Sequence, residues 1–493
     1  MIGSDILLLF HNIDNITLIP MIKIKRLTVI TALLLEFGGV SSLLQAQNIQ
    51  TKNSAVISND SSLVHSKLPA EWNLQNCIDY ALQNNIQIRK DRITAASSEV
   101  DLKKAKAALF PDLTFSTSHD LVNRPYQESS SYVSGSEVLS STSKTTYSGS
   151  FGLNASYTLF NGGKRSKTIK QNYLDKQISD LGVNESENEI KESITKMYVQ
   201  ILYAAESVTI NSSTLKVSQA EYNRGEELFK AGSLAKADVA QLKSEVSSNK
   251  YELVTSQATL ANYELQFKQL LELDGEEKMN LYIPTLNADN VLLPLPNKAD
   301  VYLAALAERP EIQSGKLNIK VSKLGISIAK AAYAPTISLS GGIGTTTASG
   351  SDYSYTKQMK NSLRNTIGFS LSLPIFDNRS NKSAVEKAQL SYQTSQLELL
   401  DDQKTLYKTI ESLWLDANSA QQQFAAADEK LKSTQTSYDL VSEQFNLGMK
   451  NTVDLLTEKN NLLQAKQEEL QAKYMAILNV QLLKFYQGEK ISL

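Results

Sequence analysis

The strongest pattern along the chain is a stripe of apolar and small residues spaced alternately four and three apart. It runs through Leu406, Ile410, Leu413, Ala417, Ala420, Phe424, Ala427, Leu431, Thr434, Tyr438, Val441 and Phe445. Moving back 216 positions gives a second stripe: Ile190, Ile194, Met197, Ile201, Ala204, Val208, Asn211, Leu215, Ser218, Tyr222, Gly225 and Phe229. A four–three alternation held over about five heptads is a coiled-coil seam, and such a helix cannot bury its stripe alone. Neither copy contains proline, and the pattern predicts helices from about Gly163 to Ala231 and from about Asn378 to Leu447. At ~1.5 Å per residue each is about 100 Å long, more than the width of an ordinary globular domain. Gly232 and Gly448 break the two helices and let the chain turn, with Ser233 placed to cap the first return helix. That return helix carries Val239, Leu242, Val246, Leu253, Leu260, Tyr263, Phe267 and Leu270 on its seam, and the second runs to about Tyr486.

Between the helices the period changes from helical to two. Four segments alternate: about 112–122, 148–160, 336–345 and 364–374. In the clearest of them Phe151, Leu153, Ala155, Tyr157 and Leu159 face one way, and Ser150, Gly152, Asn154, Ser156 and Thr158 face the other. The second face is small as well as polar, as it is in Ser338, Ser340, Gly342 and Gly344 and in Gly368, Ser370 and Ser372. An apolar face toward lipid and a small polar face toward a water-filled lumen fit transmembrane strands, as do the lengths. A soluble four-stranded sheet would not account for the small inner face. Four strands cannot close a barrel, and an open edge in lipid leaves backbone groups unpaired. The barrel is therefore expected to be shared. Two chains would give eight strands with a nearly filled interior, and three would give twelve and leave a channel.

The resulting organisation is a duplication. Residues 71–271 form a first repeat, 272–297 a proline-containing linker, 298–487 a second repeat and 488–493 a tail. Residues 124–147 and about 346–362 read as polar loops. Upstream, Met21 begins a secretory signal: Lys23, Lys25 and Arg26 precede the apolar Leu27–Leu35, and Ala46 offers a cleavage point before Gln47. Residues 1–46 are thus an upstream extension plus signal, and 47–70 a flexible mature terminus rich in Ser, Asn and Gln.

Composition removes several function classes. Lys and Arg total 50 against 52 Asp and Glu, which gives no field for nucleic acid. One cysteine, Cys77, and three histidines, His11, His65 and His119, support neither a disulfide framework nor a Cys/His metal site. Gly162-Gly163-Lys164 lacks the upstream glycine of a phosphate loop, with Thr158 there and Arg165 where Ser or Thr is needed. His119 has no second ligand in the sequence pattern and reads as a membrane-interface residue. No catalytic residue, cofactor or metal is expected.

The duplication carries repeated punctuation. Pro111 and Pro335 mark the helix-to-strand steps, each shortly after an Ala-Lys-Ala-Ala run. Leu159-Phe160-Asn161-Gly162-Gly163 and Pro374-Ile375-Phe376-Asp377 mark the strand-to-helix steps, and the two hairpin turns match. In this order and spacing the chain resembles the TolC-type outer-membrane efflux proteins over nearly all of residues 71–487. The resemblance implies a mixed, mainly α fold. A homotrimer would form a twelve-stranded outer-membrane β-barrel above a twelve-helix periplasmic tunnel, with an equatorial region from 71–84, 272–308 and the carboxyl end. It implies a passive export duct of a tripartite pump, with a periplasmic adaptor and an inner-membrane pump as partners. The duct of a type I protein secretion system would share the fold. A non-conducting periplasmic coiled-coil scaffold is the reading of another class.

The resemblance also assigns roles at the turns. Gly232, Ser233, Leu234, Gly448, Met449 and Lys450 match the tips that meet the adaptor. Asp238 and Asp454 match positions at the constricted periplasmic entrance, where three copies of Asp454 would ring one axis. An Asp in a first helical turn also answers the helix dipole, and Asn451 with Asp454 has the form of a cap. The chain departs from the family pattern nearby. Thr457, beside Glu458, stands where a second acidic ring is expected, Phe445 replaces the usual tyrosine and Lys450 the usual arginine. Phe445 and Lys450 belong to the expected gate, whose polar locking is expected to be wired differently.

Overall fold

The computed structural model describes residues 71–126, 130–133, 136–139, 144–274, 279–284 and 291–491. The expected signal and mature terminus lie outside these residues. In chain order the elements are α1 (Leu74–Asn84), α2 (Ile86–Ala107), β1 (Asp112–Asn123), β2 (Ser130–Val133), β3 (Ser136–Leu139), β4 (Thr145–Asn161), α3 (Lys164–Lys230), α4 (Lys236–Leu270), α5 (Lys298–Glu308), α6 (Pro310–Ala331), β5 (Thr336–Ala348), α7 (Tyr355–Asn361), β6 (Arg364–Ser372), α8 (Ser380–Asn446) and α9 (Thr452–Tyr486).

The duplication is visible in the element lengths. α3 and α8 both have 67 residues, α4 and α9 both have 35, and α2 and α6 both have 22. Each long helix lies beside two shorter ones stacked end to end. In the first repeat the start of α2 meets the end of α4, where Asn85 Nδ2 donates to the Leu270 carbonyl. In the second repeat α6 meets α9, with the Arg309 guanidinium 4.1 Å from the Tyr486 ring centre. α3 packs on α2, α4, α6 and α9, and α8 packs on α6 and α9. The helical layer is thus ordered α2/α4, α3, α6/α9, α8.

The seam is buried where a partner helix covers it, at Ile194, Ile201 and Ala204 on α3 and at Leu406, Ile410, Ala417, Ala420 and Phe424 on α8. The largest core lies midway along α3, where Trp72 and the α1 residues Leu74, Cys77 and Ile78 pack with Ile194, Tyr198, Leu202 and Phe267. Burying a large side chain fully contributes roughly 1.5–3 kcal/mol, and Tyr198 and Phe267 are both fully buried. The linker straps across the long helices at the same level: Trp72 bridges Leu281, and Trp414 Nε1 donates to the Pro296 carbonyl at 3.1 Å. Gly225 sits inside α3 because Leu242 of α4 occupies the space where its Cβ would stand. Pro310 opens α6 at a position that needs no intrahelical donor.

The four main strands form one antiparallel sheet in the order β1-β4-β5-β6, with β1 and β6 at its edges. Phe115 pairs with Leu153 and Leu153 with Ile343, so the apolar face is continuous across three strands. The face reading needs one correction. A bulge lies between Thr158 and Phe160, so Phe160, paired with Ile337, continues the apolar face in place of Leu159. The loop reading needs two. The region 124–147 contains the β2–β3 hairpin, and 346–362 contains α7. Both strand-to-helix steps use left-handed pairs, Gly162 and Gly163 in the first repeat and Asn378 and Arg379 in the second.

Candidate functional site at the hairpin tips

The two tips are built alike. α3 ends at Lys230 with Ala231 as its C-cap, and Gly232 takes φ 79°. The Gly232 N–H donates to the Phe229 carbonyl at 2.9 Å and the Ser233 N–H to the Leu228 carbonyl at 2.8 Å. At the second tip Gly448 has φ 74°, its N–H donates to Phe445, and the Met449 N–H donates to Gln444. This paired backbone closure satisfies the last carbonyls of each helix and requires the left-handed conformation that glycine adopts freely.

The two return helices start differently. Ser233 does not cap α4: the N-cap is Ala235, whose side chain can accept no hydrogen bond. α9 is capped, with Asn451 Oδ1 accepting from the Asp454 N–H at 2.8 Å. Asp454 Oδ2 also lies 3.6 Å from Lys450 Nζ, one turn back, with both side chains substantially exposed. Asp238 occupies the first turn of α4 and makes no ion pair among the described residues. Ser233, Met449 and Lys450 are exposed, Leu234 is half-buried, and Phe445 is buried within the second hairpin. Of the sequence-derived gate residues, the single chain brings together Lys450 and Asp454; no hydrogen bond or ion pair joins Asp238 to either.

Above the tips lies a set of polar residues that the sequence reading missed. Lys459, only 4% exposed, donates to Glu221 Oε2 at 2.7 Å and to Ser218 Oγ. Tyr438 Oη donates to Glu221 Oε1 at 2.9 Å, and Asn249 Nδ2 donates to Ser218 Oγ at 2.7 Å. Burial first, and the Glu221 carboxylate second, push the Tyr438 phenol well above its ordinary value. About four helical turns higher, Glu206 accepts from Tyr474 Oη at 2.8 Å and pairs with Lys473 at 3.4 Å. The signal in the sequence was the presence of Asn211 and Ser218 at seam positions, where an apolar residue would need no partner.

No described helix is long and apolar enough to cross a membrane, and no described cluster of His, Cys, Asp or Glu could hold a metal ion. The sheet carries the apolar surface instead. Ile367, Phe369, Leu371, Ile375 and Phe376 stand exposed on or beside β6.

A model of the family described as outer membrane efflux protein matches residues 77–272 and 301–489. The chain belongs to the outer membrane efflux protein family. It is 22% identical to outer membrane protein TolC of Escherichia coli strain K12 over 424 residues, covering 84% of this chain and 82% of that protein. It is 23% identical to the cation efflux system protein CusC of Escherichia coli O157:H7, covering 82% and 84% respectively. The crystal structure of the Campylobacter jejuni CmeC outer membrane channel superposes with a TM-score of 0.70 at 19% identity, covering 85% of this chain and 87% of that one. The protein is an outer-membrane efflux channel. Its sheet belongs to the outer-membrane barrel and its helical hairpins to the periplasmic tunnel.

Proposed function

We propose that three copies close into one duct, with a twelve-stranded barrel in the outer membrane and twelve helices below it. One observation carries this reading: both layers of the chain end in free edges on the same pair of sides. Among the described residues, nothing pairs with the outer edges of β1 and β6. In the helical layer, Ile86, Ile93 and Val100 on α2 and Leu390, Leu397 and Tyr407 on α8 are exposed at helical spacing. A neighbouring copy covers both edges at once and leaves no strand unpaired in lipid.

The tips are the periplasmic mouth. Gly232, Ser233, Leu234, Gly448, Met449 and Lys450 meet a periplasmic adaptor, which couples the duct to an inner-membrane pump. Asp454, tied to its own Lys450, and the unpaired Asp238 line the constriction. The chain supplies no energy, and the adaptor opens the mouth. Conductance of the purified channel in planar bilayers tests this. Asp454→Asn is expected to weaken cation preference or block by divalent ions. Unchanged selectivity removes the carboxylate ring, and a protein that never conducts removes the duct.

A further inference from the structure

The two hairpins of one chain are fastened by charged rungs between α3 and α9, which run antiparallel. The upper rung is Glu206 with Lys473 and Tyr474, and the lower is Glu221 with Lys459. The lower rung is closed on every side. Ser218 Oγ donates to the Thr214 carbonyl at 2.9 Å while accepting from Asn249 and Lys459. Glu221 takes Lys459 on one oxygen and Tyr438 on the other. All four tunnel helices therefore meet at one junction: α3 through Ser218 and Glu221, α4 through Asn249, α8 through Tyr438 and α9 through Lys459. Pulling the hairpins apart here would leave a buried charge without a partner, which costs far more than breaking a surface pair.

Below the junction the fastening stops. Among the described residues, no hydrogen bond or ion pair joins residues 222–238 of the first hairpin to residues 439–458 of the second. The polar contacts there stay within a hairpin, as in Tyr222 with Glu226, Arg224 with Glu227, and Lys450 with Asp454.

We propose that the Lys459–Glu221 junction is the fulcrum of the channel mouth. The hairpin ends below it part when the duct opens, and the helices above it stay together. This rests on reading the tips as the mouth.

The test uses the full-length oligomer in planar bilayers. Val217 and Leu463 line one small cavity just above the junction. In Val217→Cys/Leu463→Cys, a bifunctional maleimide then ties the hairpins above the proposed fulcrum, with the cross-link verified by mass. The cross-linked channel is expected to keep its open probability within about twofold of the unlinked one, because nothing above the fulcrum has to separate. A fall of about tenfold or more overturns the proposal, because separation then reaches above the junction. In a second arm, Lys459→Ala is expected to raise resting open probability at least about tenfold by unseating the fulcrum. Lys459→Met with Glu221→Leu is expected to restore the closed mouth, because apolar packing can fasten the same helices. A Lys459→Ala channel as tight as the parent also overturns the proposal. Should Lys459→Ala fail to assemble, the cross-linked pair decides. A parent channel that does not conduct refutes the reading of the duct itself and is thereby told apart from failure of the fulcrum.

Discussion

At the scale of single residues, the two repeats solve the same local problem with different chemistry. At the end of α4, Glu272 sits at φ 59°, and its carboxylate accepts from the Ile86 N–H at 3.2 Å at the start of α2. In the second repeat Pro310 opens the corresponding helix and has no N–H to satisfy, and Gly488 takes the left-handed position with φ 94°. Glu272→Ala should therefore cost about 1 kcal/mol, because it removes a cap and, with a Cβ still in place, relieves none of the left-handed strain. Glu272→Gly should cost less, and thermal unfolding of the two variants side by side checks the order. Near this junction Glu185 and Asp402 hold their carboxyl groups above the ordinary carboxylate range. Burial is the main cause for both, followed by Glu311 at Glu185 and Asp401 at Asp402. A carboxyl raised in the folded state favours the folded form only while protonated, so stability falls as pH rises from the unfolded value through the folded one. Glu185→Gln should stabilise the protein at neutral pH, and the gain should vanish on acidification; thermal unfolding of the parent and the variant at both pH values checks it. Cys77 is fully buried and its thiol is pushed up to about 12, so it should resist maleimide in the folded protein and label on unfolding.

At the scale of elements, the sheet divides its residues by face, and Leu153 and Asn154 make the cleanest comparison. Leu153 lies on the apolar face, paired with Phe115 and Ile343, and Asn154 lies on the small polar face, paired with Thr114 and Gly342. Leu153→Arg should cost roughly 2–4 kcal/mol if it lies near mid-bilayer and should reduce the folded outer-membrane fraction. Asn154→Arg should be better tolerated, and a heat-modifiability gel on membrane fractions distinguishes them. These faces were legible because alternation is a property of neighbouring residues. The long helices were legible for the same reason, their seams being written every three or four positions. The β2–β3 hairpin was not, since 124–147 is mostly polar and its few apolar residues stand side by side, as Tyr132 with Val133 and Val138 with Leu139, instead of alternating. α7 was missed because all of Tyr355–Asn361 is exposed or half-exposed, with no buried residue to mark a face. The bulge at Leu159 is a property of pairing with β5, so the strand's own sequence could not place it. Lys459 was missed because its carboxylate partner lies 238 residues away, in the other repeat. The tip glycines, by contrast, were legible from position alone, although Ser233 misled: the chain runs two residues further before α4 begins.

At the scale of the whole molecule, the chain is an unfinished wall. Its sheet and its helical layer both stop at edges that expose apolar side chains, and no segment among the described residues returns to cover them. Closure by further copies is the arrangement that satisfies the strand edges in lipid. Ile93→Glu with Val100→Glu should weaken assembly while leaving the chain's own hairpins folded, because both residues are exposed within one chain. Far-UV circular dichroism unchanged alongside a shift toward single chains would show this. The measurement that bears most directly on the account is the native mass of the mature protein extracted from outer membranes in detergent. Three chains per particle are predicted; a single chain that stays in solution after the detergent is removed would contradict it.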